Sequence, residues 1–462
     1  FFYRAEQSVT FHIKRIMNGF MPPTAANVDN LINAAEAGER IRLSGDQRKA
    51  IRAALTNKIT IITGGPGTGK TTIINLIVKI FKQMGISVAL AAPTGRAAKR
   101  ITETAGVEAM TIHRLLEYVY SEDDNQMEFG RNEDNPLEED AFIVDEASMI
   151  DLMLMDGFLQ ALDNDSRLII VGDADQLPSV GAGNILHDMI NSEYVPTIRL
   201  EEIFRQAGES HIVVNAHSIN NGEYPEFNGK DSDFFFMHRS GEADIRDTIE
   251  ELVTGRLASY YDFVKDSSDV QVLTPTRKGG LGTASLNELL QSVINPAMPA
   301  RNERKFGSKT LREGDKVMQI RNNYRMEWRQ LGRQSGRGIF NGDMGVIDTI
   351  DTDNAKVIVD FDGKFVTYDN EELDELELAY AVTVHKSQGC EFPAVIIPIS
   401  GFPPMLATRN LLYTAITRGK KLVILVGSEE RMQRMIDNNR IDERYTGLED
   451  RLREIDLGRG LT

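Results

Sequence analysis

Apolar residues along the chain fall into short β-branched runs separated by stretches with helical spacing. Residues 58–63, 87–92, 141–145 and 168–172 read as strands, while 44–55, 70–84 and 95–104 repeat their apolar positions at the interval of a helix face. Strands alternating with helices argue for a parallel sheet with crossover helices. The alternation resumes with strands at 270–275, 377–384, 394–399 and 421–427 and helices at 284–294 and 408–417, which predicts a second α/β domain. Between its pieces the chain is Gly-rich, and close-set β-like runs at 316–320, 344–350, 356–361 and 364–368 predict a small inserted β-barrel. Two helical segments, 5–17 and 27–37, are split by Pro22-Pro23. The expected organisation is a helical remnant or connector at 1–40, a first domain at 41–205 with a hairpin insertion at 116–138, a second domain at 206–299 and 371–462, and the barrel at 300–370.

At 462 residues, with 41% hydrophobic and 26% charged residues, more than one soluble domain is expected. A single cysteine, Cys390, excludes an intramolecular disulfide and a Cys-based zinc cluster. There is no apolar run of membrane-spanning length and no signal-peptide pattern, so no membrane partner and a cytoplasmic, bacterial location are expected. Phe1 in place of Met suggests a preceding region, through which protein partners are expected. The net charge of −17 argues at first against nucleic acid. Its distribution weakens that argument: residues 121–140 carry −8, whereas 301–337 carry +7 with Phe306, Tyr324 and Trp328 interleaved. The Debye length is about 8 Å at physiological salt, so remote carboxylates hardly weaken a local basic surface.

One strand and helix pair carries the strongest chemical signal. Gly64-Gly65-Pro66-Gly67-Thr68-Gly69-Lys70-Thr71-Thr72 joins strand 58–63 to helix 70–84 and matches G-x-x-x-x-G-K-[ST] in the context that motif needs. Glycines let backbone N–H groups turn toward a polyphosphate at a helix N-terminus, Lys70 reaches the terminal phosphates, and Thr71 can hold Mg²⁺. Strand 141–145 runs into Asp145 and Glu146: the first suits a metal ligand, the second a residue that orients or deprotonates water. ATP or GTP turnover is the base reading. Gln176, after strand 168–172, suits a contact to the γ-phosphate or its water, or equally a turn cap. Gln47 stays open between adenine recognition and completing a capping box with Ser44.

In their order, Leu43–Gln47, Gly64–Thr72, Ala92–Ala98, Thr111–Leu115, Val144–Ser148, Gly172–Pro178, Leu200–Gln206, Leu273–Arg277, Val384–Gly389 and Tyr413–Arg418 resemble the motifs of superfamily 1 DNA helicases. The resemblance is to the RecD-like branch, related to the α subunit of bacterial exodeoxyribonuclease V, and extends over about residues 40–462. It implies an α/β fold of two RecA-like P-loop NTPase motor domains with a short hairpin insertion in the first and a small SH3-like β-barrel in the second. ATP and Mg²⁺ are the implied cofactors, and single-stranded DNA with its junctions to duplex the implied partner, moved along 5′→3′ in recombination and repair. Arg205 and Arg418 match arginines that stabilise transition-state charge, and Gly389 and Glu391 positions beside the nucleotide. Pro93, Thr94, Arg96, Thr111, His113, Thr274, Thr276, His385 and Ser387 match positions that grip the strand.

Bland readings stand beside several of these. Arg418 also suits an exposed arginine at a helix C-terminus, and His113 and His385 suit packing or capping. Segments 117–120 and 126–129 suit either a strand-separating pin or a solvated hairpin, and 301–337 either a barrel bordering DNA or a solvated charged loop. Alternative functions are the motor portion of a conjugative relaxase or nuclease complex, and a nucleotide-gated module that binds DNA without unwinding it.

Overall fold

The computed structural model describes residues 2–454 apart from 23–26, 122–125, 205–207, 228, 230, 231, 308, 331–334 and 441–443. Two compact units divide the chain, Phe1–Glu209 with Asp442–Thr462, and Ser210–Ile441.

In the first unit the strands are β1 (Ile59–Gly64), β2 (Val88–Ala92), β3 (Ala109–Thr111), β4 (Tyr118–Ser121), β5 (Gln126–Phe129), β6 (Ala141–Val144), β7 (Arg167–Gly172) and β8 (Thr197–Leu200). Six of them form a sheet in the order β3-β2-β6-β7-β1-β8 with every neighbouring pair parallel. The antiparallel pair β4–β5 stands apart as the expected hairpin, with Tyr118 opposite Phe129. Strand periodicity explains why these segments read as unbroken apolar runs: both faces are covered. Ile59, Ile61, Ala89, Ala91, Phe142, Val144, Leu168 and Ile170 enter one core, and Ile62, Leu90, Ala92, Ile143, Ile169 and Val171 enter the other.

Helices α1 (Phe2–Met17), α2 (Val28–Glu39), α3 (Gly45–Thr56), α4 (Lys70–Gln83), α5 (Gly95–Ala105), α6 (Ile112–Leu115), α7 (Leu152–Gln160) and α8 (Ile185–Asn191) pack around this sheet. Residues 1–40 are not a connector. The apolar stripe Val9, Ile13 and Ile16 of α1 lies in the first core with α7, and Ile32 and Ala35 of α2 lie in the second with α3 and α4. The second-domain boundary also needs correction, because helix Leu448–Arg453 belongs to the first unit, burying Leu448 and Leu452 in its core. Arg444 fastens that return, donating from Nη1 to the carbonyls of Gly181 (2.5 Å) and Gly183 (2.6 Å).

In the second unit, β9 (Phe234–His238), β10 (Val270–Thr274), β20 (Ala381–Thr383), β21 (Phe392–Ile399) and β22 (Gly419–Gly427) form a parallel sheet in the order β20-β10-β21-β22-β9. The insertion comprises β11 (Glu303–Phe306), β12 (Lys309–Arg312), β13 (Lys316–Gln319), β14 (Asn323–Gln330), β15 (Ser335–Ile339), β16 (Met344–Asp351), β17 (Lys356–Phe361), β18 (Lys364–Tyr368) and β19 (Leu376–Leu378). Within 301–337 the described segments Glu303–Phe306, Lys309–Arg312, Lys316–Gln319 and Asn323–Gln330 are thus strands of this domain and not a loop. β13 to β19 make one antiparallel sheet around Val317, Ile347, Val357, Val359, Val366 and Tyr368, with register shifts in β14 and β16 that bend it.

The single strand expected at 377–384 is two. β19 pairs with β13 of the insertion and β20 with β10 of the parallel sheet, so the chain changes sheets at Ala379–Tyr380. Asn287 Nδ2 spans the change by donating to the carbonyls of Leu378 (3.0 Å) and Ala381 (2.8 Å). Beside it Asp315, fully buried, accepts from Gln291 Nε2 (2.6 Å), Asn295 Nδ2 (2.8 Å), Tyr380 Oη (2.9 Å) and Arg312 N (2.7 Å). Burial raises the Asp315 carboxyl above its ordinary range, and these donors pull it back.

Candidate nucleotide and strand-binding site

The expected groups of the first unit lie at the carboxyl ends of neighbouring strands, where open parallel sheets place ligands. After β1 comes the phosphate loop. Gly67 (φ 75°) and Gly69 (φ 82°) adopt left-handed backbone, and a Cβ on Gly69 would strike the Phe204 ring and the Gln47 amide. Thr68 Oγ1 donates to Gly65 O at 2.9 Å, and Phe204 N donates to Gly67 O at 3.1 Å. Lys70 opens α4 and folds its ammonium back onto the carbonyls of Gly64 (2.5 Å) and Gly65 (2.9 Å). Thr71 and Thr72 follow, half-buried in the first turn.

Gln47 resolves toward the loop. Its backbone N–H donates to Ser44 Oγ (3.3 Å) while Oε1 accepts from Ser44 N (3.0 Å), completing the capping box, and Nε2 donates to Thr68 O at 2.9 Å. At 2% exposure the amide is engaged in the helix cap and in bracing the phosphate loop, which realises the capping-box alternative.

After β6 stand Asp145 and Glu146, 4% and 7% exposed. Burial and the adjoining Glu146 push the Asp145 carboxyl up to about 6, while Arg100 and Lys70 pull it down. Glu146 holds left-handed backbone (φ 55°), uncommon for a side chain of its size, and its N–H donates to Asp145 Oδ1 at 2.8 Å. Arg100, which lies outside the sequence motifs, donates from Nη2 to Glu146 Oε1 at 2.7 Å and lies 3.9 Å from Asp145 Oδ2. After β7, Asp173 organises the next turn, accepting from Gln176 Nε2 at 3.0 Å and Asp175 N at 3.1 Å. Gln176 Oε1 is buried without a hydrogen-bond partner, as is Ser148 Oγ. Such acceptors call for a donor that the described residues do not supply.

On the other side of Asp145, β2 ends in Pro93, Thr94 and Arg96, all half-buried. Thr94 caps α5, accepting from Ala97 N at 3.3 Å, and Thr111 ends β3 and caps α6, accepting from Arg114 N at 3.1 Å. His113 turns into an aromatic pocket, its ring 5.4 Å from Tyr118 and 6.2 Å from Phe129. Burial lowers its basicity, so it is neutral near pH 7 and packs the hairpin against the unit instead of offering a cation to phosphate.

The second unit brings two of its motifs together. Arg418 is 3% exposed, not the surface arginine its helix position suggests. Nε donates to Thr414 O, Nη1 to Cys390 O and Nη2 to Thr417 Oγ1, each at 3.2 Å, which ties it to the turn Gly389–Glu391, with Gly389 left-handed at φ 71°. Glu391 pairs with Lys420 at 3.1 Å. Two strand-gripping expectations need correction. Thr274 and Ser387 are buried, and their hydroxyls donate to Leu281 O and Val384 O at 2.7 Å, so neither has its O–H for a phosphate. Thr276 and His385 are half-buried, and the Thr276 hydroxyl donates to Lys278 O at 3.3 Å. Arg205 lies outside the described residues.

A phosphate loop after one strand of a parallel sheet, with paired acids after a near neighbour, defines a P-loop nucleoside triphosphatase fold. Family models match in three places: an AAA domain over residues 47–182, an ATP-dependent RecD-like DNA helicase SH3 domain over 286–361, and a UvrD-like helicase C-terminal domain over 378–426. The chain is 34% identical over 451 residues to the ATP-dependent RecD2 DNA helicase of Deinococcus radiodurans, covering 97% of itself and 58% of that protein. It is 30% identical over 449 residues to the RecBCD enzyme subunit RecD of Mycolicibacterium smegmatis, covering 88% of itself and 75% of that subunit. The chain belongs to the RecD-like family of superfamily 1 helicases. It spans a little over half the length of the Deinococcus relative. A Pif1 helicase from Bacteroides, solved with ADP-AlF3 and single-stranded DNA, is similar with a TM-score of 0.49 and 20% identity over 86% of this chain and 94% of that one. The expected SH3-like insertion is borne out by the RecD-type match.

Proposed function

We propose that this chain is the motor of an ATP-driven DNA helicase that moves 5′→3′ on a single strand and unwinds duplex ahead of it. The observation that carries the reading is the meeting of Lys70, Asp145, Glu146 and Gln176 at the ends of β1, β6 and β7. The residues fit a nucleoside triphosphate with Mg²⁺: two left-handed glycines keep the cradle open, Lys70 rests on carbonyls that phosphate oxygens can replace, and Gln176 Oε1 has no hydrogen-bond partner among the described residues. Thr71 and Asp145 would hold the metal, which supplies charge neutralisation to the phosphates. Glu146 orients and deprotonates the attacking water, and Gln176 accepts from it. Arg418, and Arg205 by resemblance, are the proposed cations for transition-state charge; such groups contribute about 10³ to 10⁵ in rate. Pro93, Thr94, Arg96, Thr111, Thr276 and His385 are the proposed strand contacts, and polarity follows from the family resemblance.

Strand displacement on duplexes with a 5′ or a 3′ single-stranded tail tests activity and direction together. Unwinding of the 5′-tailed substrate alone, abolished by Lys70→Ala, is expected. ATP turnover that ignores single-stranded DNA, or turnover that survives Lys70→Ala, would refute the reading.

A further inference from the structure

We propose that Arg100 is a positioning residue that holds Glu146 away from its water until single-stranded DNA engages the start of α5, an inference that rests on the function proposed above. Three observations within the first unit carry it. One oxygen of the Glu146 carboxylate, Oε1, is already engaged by Arg100 Nη2 at 2.7 Å. The Glu146 backbone is held left-handed, so the direction of its side chain is constrained locally, and Arg100 decides where its carboxylate ends. Finally, Arg100 lies four residues beyond Arg96 on α5, which places the two guanidiniums on one face of the helix whose first turn follows Thr94.

A phosphate at that first turn therefore acts on the helix that carries the latch. The Arg100 side chain is 28% exposed, enough to exchange a carboxylate for a nearby phosphate or for water, whereas Glu146 is nearly sealed. Strand binding then frees Oε1 for the attacking water, and strand release restores the ion pair. Turnover is thereby confined to the time the motor grips DNA. A purely structural ion pair makes the opposite prediction: losing it would leave two buried carboxylates side by side and impair turnover with or without DNA.

The test measures ATP turnover of the full chain, and of Arg100→Ala and Arg100→Lys, with and without a saturating oligothymidylate. For Arg100→Ala, DNA-free turnover should rise about tenfold, the worth of one charge-assisted hydrogen bond, while DNA-saturated turnover changes less than about twofold. Arg100→Lys keeps the charge but loses the planar fork, and should fall between. Unchanged or lowered DNA-free turnover in both variants, or loss by one common factor under both conditions, would overturn the latch. Should Arg100→Ala melt early, Arg100→Lys alone decides by its ratio of DNA-saturated to DNA-free turnover, which must drop below that of the parent. A parent chain that DNA fails to stimulate sinks the proposed function itself, whereas stimulation that persists undiminished in the variants sinks only the role of Arg100.

Discussion

Replacing Asp315 by alanine should loosen the inserted barrel from the sheet that bears it. The buried carboxylate accepts four hydrogen bonds, and alanine would leave Gln291 Nε2, Asn295 Nδ2, Tyr380 Oη and Arg312 N facing a void. Bonds to a charged acceptor contribute about 1.5–3 kcal/mol each, but burying the carboxylate offsets much of that sum, and removing one partner from a buried charged network typically costs about 3–5 kcal/mol. The assay is provided by composition. Trp328, the single tryptophan, sits in β14 with Lys364 Nζ 4.6 Å from its ring centre, so its emission reports on the barrel alone. With a urea dependence of about 2–3 kcal/mol per molar, the Trp328 transition should move down by about 1–2.5 M. Asp315→Asn keeps the volume and should move it less. A Trp328 midpoint within about 0.2 M of the parent would show that the four bonds contribute nothing net, and the reasoning would fail.

Arg418→Ala should leave nucleotide binding within about threefold of the parent while turnover falls by about 10³ or more, checked by nucleotide titration beside steady-state hydrolysis. Equal loss of both would assign Arg418 to holding the Gly389–Glu391 turn. Asp188, in α8, has its carboxyl pushed up to about 6 by burial, with Glu449 and Glu6 adding to it against the hydrogen bond from Thr446. The folded chain therefore takes this proton near pH 6 and the unfolded chain near the ordinary 3.8, so the contribution to stability is complete below that lower value and is lost as pH rises through 6. Asp188→Asn should accordingly melt above the parent at pH 7.5, by about 2–3 kcal/mol, with the difference vanishing toward pH 4; a constant difference across that range would contradict it. Affinity for single-stranded oligonucleotide should fall steeply with salt, with log K linear in log salt, and a flat dependence would exclude phosphate tracking.

Much of the framework was legible because both faces of each central strand are covered, which writes β1, β6 and β7 as apolar runs ending in the residues that matter. The phosphate loop was legible because its glycines are demanded by backbone geometry and not by distant contacts. What escaped depends on partners far along the chain. The environment of Arg100 exists only when β6 delivers Glu146 beside α5, and nothing local distinguishes it from Lys99. Arg418 read as exposed because its helix offers the C-terminal carbonyls that suit a surface arginine; its burial comes from Cys390 O on another segment. Thr274 and Ser387 looked available because a hydroxyl in sequence carries no record of the carbonyl it bonds. The two strands within 377–384 merged for the same reason: the apolar run is continuous, and only the partners of β19 and β20 differ.

Leu448 and Leu452 reach the core of the first unit only after the whole of Ser210–Ile441 has been synthesised. A ribosome therefore holds α1 and α8 with an unfilled apolar seam throughout translation of the second unit, which can complete its own sheet and barrel meanwhile. Folding closes in the reverse of reading order, and a nascent chain stalled before residue 448 would present that seam to chaperones or proteases.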